Sequence, residues 1–255
     1  MKQKKSVIIL TSLVLFLLTS GCIKVNHERN LKKTIYSTPI NKDISSPIST
    51  GSSIIPVEAK KNTDKTRELY EKLKLEKKLD YKIFKLAMNG LEIINPPLKN
   101  YLAIVDFTKD STKKRFFLID LVNENLVYYE LVAHGKNTGG VSSRNFSNEV
   151  NSLKSSLGFY LTAESYFGSN GYSLRLDGLD KGLNDRARER AIVLHGAPYV
   201  SEFHIAQTGR LGRSWGCPAV KDEIAKDIIN KLKGGNLLFQ YAKGYEERSS
   251  VLNQS

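Results

Sequence analysis

After Asn100 the apolar residues of this chain come in short runs, and that rhythm limits the possible folds more than any other feature of the sequence. Residues 101–107 and 115–121 flank the polar segment 108–114, and residues 126–133 follow Asn123-Glu124-Asn125. Runs of this length, rich in Val, Ile, Phe and Tyr and broken by polar turns, read as consecutive antiparallel strands. Further strands are expected at 158–163, 173–176, 191–194 and 237–241. Two short helices interrupt them, one at 184–190 capped by Asn184 or Asp185, the other at 222–233 and ended by Gly234-Gly235. Short strands with glycine-rich turns favour a mainly β architecture, a sandwich or barrel with short flanking helices, over a parallel α/β sheet.

Upstream the periodicity is helical. Leu69, Leu73 and Leu75 lie among Lys and Glu, and Tyr81, Phe84, Leu86, Ala87 and Leu91 continue an amphipathic face until Pro96-Pro97 stops it. Gly90 weakens the middle of the second helix. This helical segment, 63–97, is expected on the flank of the strand-rich domain spanning 98–245, with 246–255 as a tail. Residues 23–62 are dominated by Ser, Thr, Pro, Asn and Lys, bury too little apolar surface to offset their ordering entropy, and read as a tether.

Residues 1–22 have the layout of an export signal. Lys2, Lys4 and Lys5 precede the apolar stretch 7–18, and Thr19-Ser20-Gly21 precede Cys22. The apolar stretch is shorter than the ~20 residues that span a bilayer. Small residues before a cysteine resemble the bacterial lipobox, which implies cleavage, acylation of Cys22 and attachment to a membrane on its extracytoplasmic side. The formal charge of +13 suits an anionic partner, whether membrane surface, cell-wall polymer or nucleic acid. Export argues against nucleic acid, as does the lack of an aromatic-interleaved basic motif.

The second cysteine, Cys217, sits in Gly212-Arg213-Ser214-Trp215-Gly216-Cys217-Pro218-Ala219-Val220. A thiol is a useful nucleophile as thiolate, so it needs a base or cation nearby and donors for the oxyanion it creates. His195 closes the apolar run 191–194, Gly196 frees the backbone after it, and Gly216 lets main-chain N–H groups converge beside the sulfur. One available cysteine and dispersed histidines lack structural-zinc spacing, so neither metal nor cofactor is expected.

His195-Gly196 followed by Ser214-Trp215-Gly216-Cys217 resembles the signature of the YkuD-type L,D-transpeptidases. The wider text is similar to a divergent branch, the murein L,D-transpeptidase catalytic domain, through Ala133-His134-Gly135-Lys136-Asn137, Ser155-Ser156-Leu157-Gly158-Phe159-Tyr160, Tyr172-Ser173-Leu174-Arg175-Leu176-Asp177-Gly178-Leu179 and residues 212–220. The resemblance covers 98–241. It departs from the main family at Trp215, where a second His or an Arg is common, and at Ala219, where an Arg or Asn is common. It implies a YkuD-like barrel in which Cys217 is the nucleophile, His195 its base, and the Gly196 carbonyl the group that fixes the imidazole tautomer. Gly216 and Cys217 N–H groups would form the oxyanion hole, with Ser214 shaping the turn and Trp215 beside it.

The implied activity is acyl transfer between peptidoglycan stem peptides through a cysteine thioester. Water as acceptor would make the chain an L,D-carboxypeptidase, and a crosslink as substrate an endopeptidase. A noncatalytic wall-binding lipoprotein is the alternative of a different class. His134 has either a substrate role or a structural hydrogen-bonding one. His204, in the polar segment 201–204, is a rival base. Arg175 either grips a peptide carboxylate or pairs with Asp177 or Asp180, and Arg213 has the same two readings. Metabolic labelling with a fatty acid is expected to mark the wild-type chain and to vanish in Cys22→Ala; labelling that persists in the variant would sink the lipid-anchor expectation.

Overall fold

The alternating runs pair into one eight-stranded sheet in the computed structural model, which describes residues 57–253. The expected leader, Cys22 and most of the expected tether lie outside the described residues. The strands are β1 (Tyr101–Asp106), β2 (Phe116–Asp120), β3 (Asn125–Glu130), β4 (Gly158–Gly168), β5 (Gly171–Gly178), β6 (Val193–Gly196), β7 (Ala219–Val220) and β8 (Leu237–Tyr241). The helices are α1 (Val57–Lys72), α2 (Tyr81–Ile94), α3 (Glu202–Thr208) and α4 (Asp222–Leu232). Mainly β is therefore the observed class, and no helix among the described residues is long and apolar enough to cross a membrane.

Across the sheet the order is β3-β2-β1-β8-β4-β5-β6-β7. The first three strands form the expected antiparallel meander. Two pairings are parallel: β6 with β7, whose connection runs through α3, and β1 with β8, which α4 reaches from the end of the sheet back to its middle. Beyond β3 the chain continues to Ala133, which bridges Ala219 in β7, and to Gly135, which bridges Ser214. The two outer edges of the sheet thus meet, which nearly closes a barrel and covers strands that would otherwise present unpaired backbone.

The N-terminal helices are part of the core rather than a flanking addition. Asp80 caps α2 by accepting from the Lys82 N–H at 2.8 Å, and Asn95 ends it in the left-handed conformation. Leu75, Ile83, Phe84, Ala87 and Leu91 share one buried cluster with Phe159 of β4 and Phe239 of β8. Gly90 is where the ring of Phe159 crosses the helix, since a Cβ there would lie 2.0 Å from that ring. Helix α1 begins at Val57, inside the stretch expected as tether.

Three further expectations need correction. Residues 181–190 form successive turns and not a helix, because Asn184 spends its buried side chain elsewhere. It accepts from the Asp180 N–H (2.8 Å) and donates to Phe159 O (2.9 Å). Residues 201–204 are not loop, since Ser201 caps α3 and Gly209 ends it with φ of 74°. The segment after Tyr245 is tied down: buried Asp180 accepts from the Tyr245 (2.8 Å) and Ser249 (2.5 Å) hydroxyls and from the N–H groups of Phe159 (2.8 Å) and Val251 (3.2 Å). Four donors compensate a carboxylate taken out of water. Asp180→Ala leaves all four without their acceptor and is expected to lower unfolding stability by about 3–5 kcal/mol in a urea titration, where a change below about 1 kcal/mol would refute this role.

Candidate active site

Strand register places Cys217 on the segment beside the strand that carries His195. In the parallel β6–β7 pair, His195 lies opposite Ala219 and Gly196 opposite Val220. Two residues back along each strand, the Val193 N–H donates to Cys217 Sγ at 3.5 Å, and the thiol faces Ala191 O at 3.8 Å. Val193 and His195 are two apart on one strand, so their side chains share a face. Cys217 is 8% exposed, and His195 is buried.

The imidazole is oriented by its own backbone. His195 Nδ1 lies 2.7 Å from Gly196 O, which places the proton on Nδ1 and leaves Nε2 as the basic nitrogen. Burial pushes the Cys217 thiol up, against the Val193 N–H and Arg190, and pushes the His195 imidazole down, against the Gly196 carbonyl and the Asp222 carboxylate. The resting pair is therefore neutral thiol and neutral imidazole, not an ion pair. Neither His195 nor His204 is hydrogen-bonded to the thiol in this state, and His204 sits on α3, outside the β6–β7 pairing.

The cysteine turn is closed by Ser214. Its Oγ donates to Cys217 O at 2.6 Å and accepts from the Gly216 N–H at 3.1 Å. The Gly216 N–H, expected as an oxyanion donor, is thus engaged within the turn. Gly216 has φ of 129°, and a Cβ there would lie 2.8 Å from Lys154 O, so the position accepts glycine alone without rearrangement. Buried Ser155 fastens the turn from below, accepting from the Gly135 N–H (3.0 Å) and donating to Gly216 O (3.1 Å).

The remaining predicted residues divide. His134 is buried and fully used: its Nε2 lies 3.2 Å from Gly139 O, and its Nδ1 faces Arg115 Nη2 (2.8 Å) and Ser143 Oγ (3.0 Å). Burial, then the Arg115 charge, pushes it down to about 4. Arg213 donates to Lys136 O (2.9 Å) and Gly139 O (3.0 Å), which holds the 136–139 loop beside the turn. Arg175 pairs with Glu164 (3.0 Å) and covers the Tyr166 ring, while Asp177 is taken by Arg188 at 3.0 Å. Trp215 is 76% exposed beside the cysteine. Among the described residues no group of three or more His, Cys, Asp or Glu could hold a metal ion.

Sequence reasoning gave no role to Arg190, Tyr199 or Asp222. Burial, with the Cys217 sulfur and the Asp222 carboxylate nearby, pushes the Tyr199 hydroxyl up to about 12. The Asp222 carboxylate lies directly against Gly196. The one available signal was their position at the two ends of β6 and the start of α4.

A nearly closed β-barrel with a buried thiol and a buried imidazole on adjoining strands defines a cysteine–histidine class of domain. Within it, the sequence profile described as L,D-transpeptidase catalytic domain, YkuD_2, matches residues 75–241, well over half of the chain, and the chain belongs to that family. No curated protein matches it in sequence. An L,D-transpeptidase from Mycobacterium smegmatis is 12% identical, with a TM-score of 0.35, covering 56% of this chain and 59% of that one. L,D-transpeptidase 3 from Mycobacterium tuberculosis is 11% identical, with a TM-score of 0.36, covering 56% and 61%. The helical cell shape determining protein Pgp2 (K307A mutant) from Campylobacter jejuni is 12% identical, with a TM-score of 0.37, covering 60% and 52%. The chain spans less than two thirds of the length of these structures, and likeness this distant carries no argument, so the family rests on the profile.

His134 makes stability depend on pH. Its folded value of about 4 lies below the ordinary 6.5, so the unfolded chain takes up the proton first as pH falls. The contribution is fully present above pH 6.5 and is lost as pH drops toward 4, a span worth about 3 kcal/mol. His195 is shifted the same way and adds to the same window. Urea unfolding of wild type, His134→Gln and His195→Gln from pH 7.5 to 4 is expected to show a shallower slope in each variant; an unchanged slope in His134→Gln would contradict the burial argument.

Proposed function

We propose that the chain is a cell-envelope acyltransferase that joins or trims peptidoglycan stem peptides through a thioester on Cys217. The observation that carries this reading is the oriented pair on β6 and its neighbour: a buried thiol at Val193, and an imidazole whose Nδ1 is fixed by Gly196 O so that Nε2 is the base. Family membership supports the substrate class.

On substrate binding, His195 Nε2 takes the thiol proton and the Cys217 sulfur attacks the carbonyl of the L-centre residue before a terminal D-amino acid. The Cys217 N–H faces the oxyanion, joined by the Gly216 N–H if Ser214 Oγ releases it. As the C–N bond breaks, the imidazolium returns its proton to the leaving amine, and the acyl group remains as a thioester. An amine of a second stem then attacks, its proton passes to Nε2, and the C–S bond breaks to regenerate the thiol. Water in place of the amine gives an L,D-carboxypeptidase, and attack on a crosslink gives an endopeptidase. A neutral resting pair suits this general-base sequence, because the thiolate forms when substrate has already excluded water. The same reading places the chain outside the cytoplasm, held to the membrane through Cys22.

Incubating the protein with purified muropeptides and resolving the products by mass separates transfer, hydrolysis and inactivity. Cys217→Ala and His195→Ala are each expected to reduce turnover by at least about 100-fold, with the double variant no worse than the weaker single one, because base and nucleophile act as a unit. Near-normal turnover in His195→Ala would reassign the base. A carbapenem, whose strained ring resembles the scissile amide, is expected to leave a covalent mass shift on Cys217 that Cys217→Ala lacks; an adduct on another residue would overturn the site.

A further inference from the structure

Burial opposes ionisation of Cys217, yet acyl transfer needs the thiolate, and the neighbouring strand β6 offers it one N–H, that of Val193. The turn leading into β6 delivers a cation to the same place. Arg190 Nη1 donates to Ser147 O (2.7 Å) and Ser156 Oγ (3.1 Å), and Nη2 donates to Lys154 O (2.5 Å) and Ser152 Oγ (3.3 Å). All four acceptors are uncharged, and among the described residues no carboxylate forms an ion pair with Arg190, so its charge is not neutralised at contact range. A Cβ on Gly216 would lie 3.4 Å from Arg190 Nη2, which puts the guanidinium against the residue preceding the cysteine. The next residue, Ala191, gives its carbonyl to the thiol.

We propose that Arg190 is the fixed positive charge that stabilises the Cys217 thiolate, and that it braces the cysteine turn on the 147–156 loop in doing so. It acts on the reaction through Cys217 and is a positioning residue; the proposal rests on the reading of Cys217 as the nucleophile. The other groups around the sulfur do not supply such a charge. Burial holds His195 neutral, Tyr199 is held protonated, and Asp222 faces His195 and Tyr199 with a negative charge. On the far side of Arg190 stand the Tyr160 hydroxyl, also held protonated, with Arg186 and Glu149 beyond. A guanidinium keeps its charge throughout the working pH range, and its planar fork is what lets one side chain hold four partners and still face the turn.

The test reads the thiol itself. The full chain is alkylated with iodoacetamide between pH 5 and 10, and modification is followed at the Cys217 peptide by mass spectrometry, so that Cys22 does not interfere. Arg190→Gln and Arg190→Met are expected to raise the midpoint of the pH profile by about one unit, which is about tenfold less thiolate at neutral pH. Arg190→Lys is expected to restore most of it, because the charge returns without the fork. Folding is monitored by near-UV circular dichroism. Folded neutral variants with the wild-type midpoint overturn the proposal. So does a folded Arg190→Lys whose midpoint rises by a full unit, since there the charge is present and only the fork to the 147–156 loop is lost. No substrate is present, so inactivity on muropeptides and an unchanged thiol midpoint are separate failures.

Discussion

The bond from the Ala133 N–H to Ala219 O, 2.8 Å long, is the constraint on which the site depends, because it joins the two edges of the sheet. Without it β7 is a two-residue strand held by β6 alone, and the cysteine turn just before it has no second wall. With it, the residues after Ala133 run beside residues 214–217, and each loop supplies what the other lacks. Gly135 and Lys136 pair with Ser214 and Ser155, while Arg213 reaches back to Lys136 and Gly139. A small second cluster of Leu131, Ala133, Ala197, Val200, Leu211 and Ala219 fills the space behind the seam. Alanines at the crossing allow the two backbones to approach this closely, so Ala219 has a packing role that a long polar side chain could not serve.

Beneath the seam lies a buried cation that explains why the wall is rigid. Arg115 is fully buried and donates twice to Val132 O (3.1 and 2.9 Å), to Lys109 O (2.8 Å) and toward His134 Nδ1 (2.8 Å). Burial pushes its guanidinium down to about 9, and its hydrogen bonds are what keep the charge tolerable there. His134 in turn holds Gly139, the loop residue that Arg213 also binds. Two histidine–glycine pairs in this chain thus serve different ends: the one at 195 leaves a nitrogen free, and the one at 134 uses both.

Much of this was legible beforehand, for reasons that separate local from distant effects. Apolar runs with polar turns reveal strands because burial on a sheet face imposes them, and the Ser214–Cys217 and His195 motifs survive any shuffling of what lies between. The insertion of β8 between β1 and β4, parallel to the first and antiparallel to the second, was not legible, since it is set by where α4 can cross the sheet. Asn184 misled in the same way: its sequence context reads as a helix cap, whereas its amide is drawn into the buried Asp180 network by residues far along the chain. The polar composition of 201–204 read as loop, although Ser201 and Gly209 bracket α3 as its caps. Arg190 and Asp222 carry no motif, and nothing short of the packed turn shows what they face.

Trp215 is the chain's sole tryptophan, and it stands mostly in solvent two residues before Cys217. Its indole emission therefore originates from a single place, the cysteine turn. Excited at wavelengths that tyrosine does not absorb, the unmodified protein carries a built-in optical gauge of that turn, free of signal from the buried tyrosines of the barrel interior. Anything that settles over the sulfur and changes the polarity around the indole changes the colour or intensity of that light.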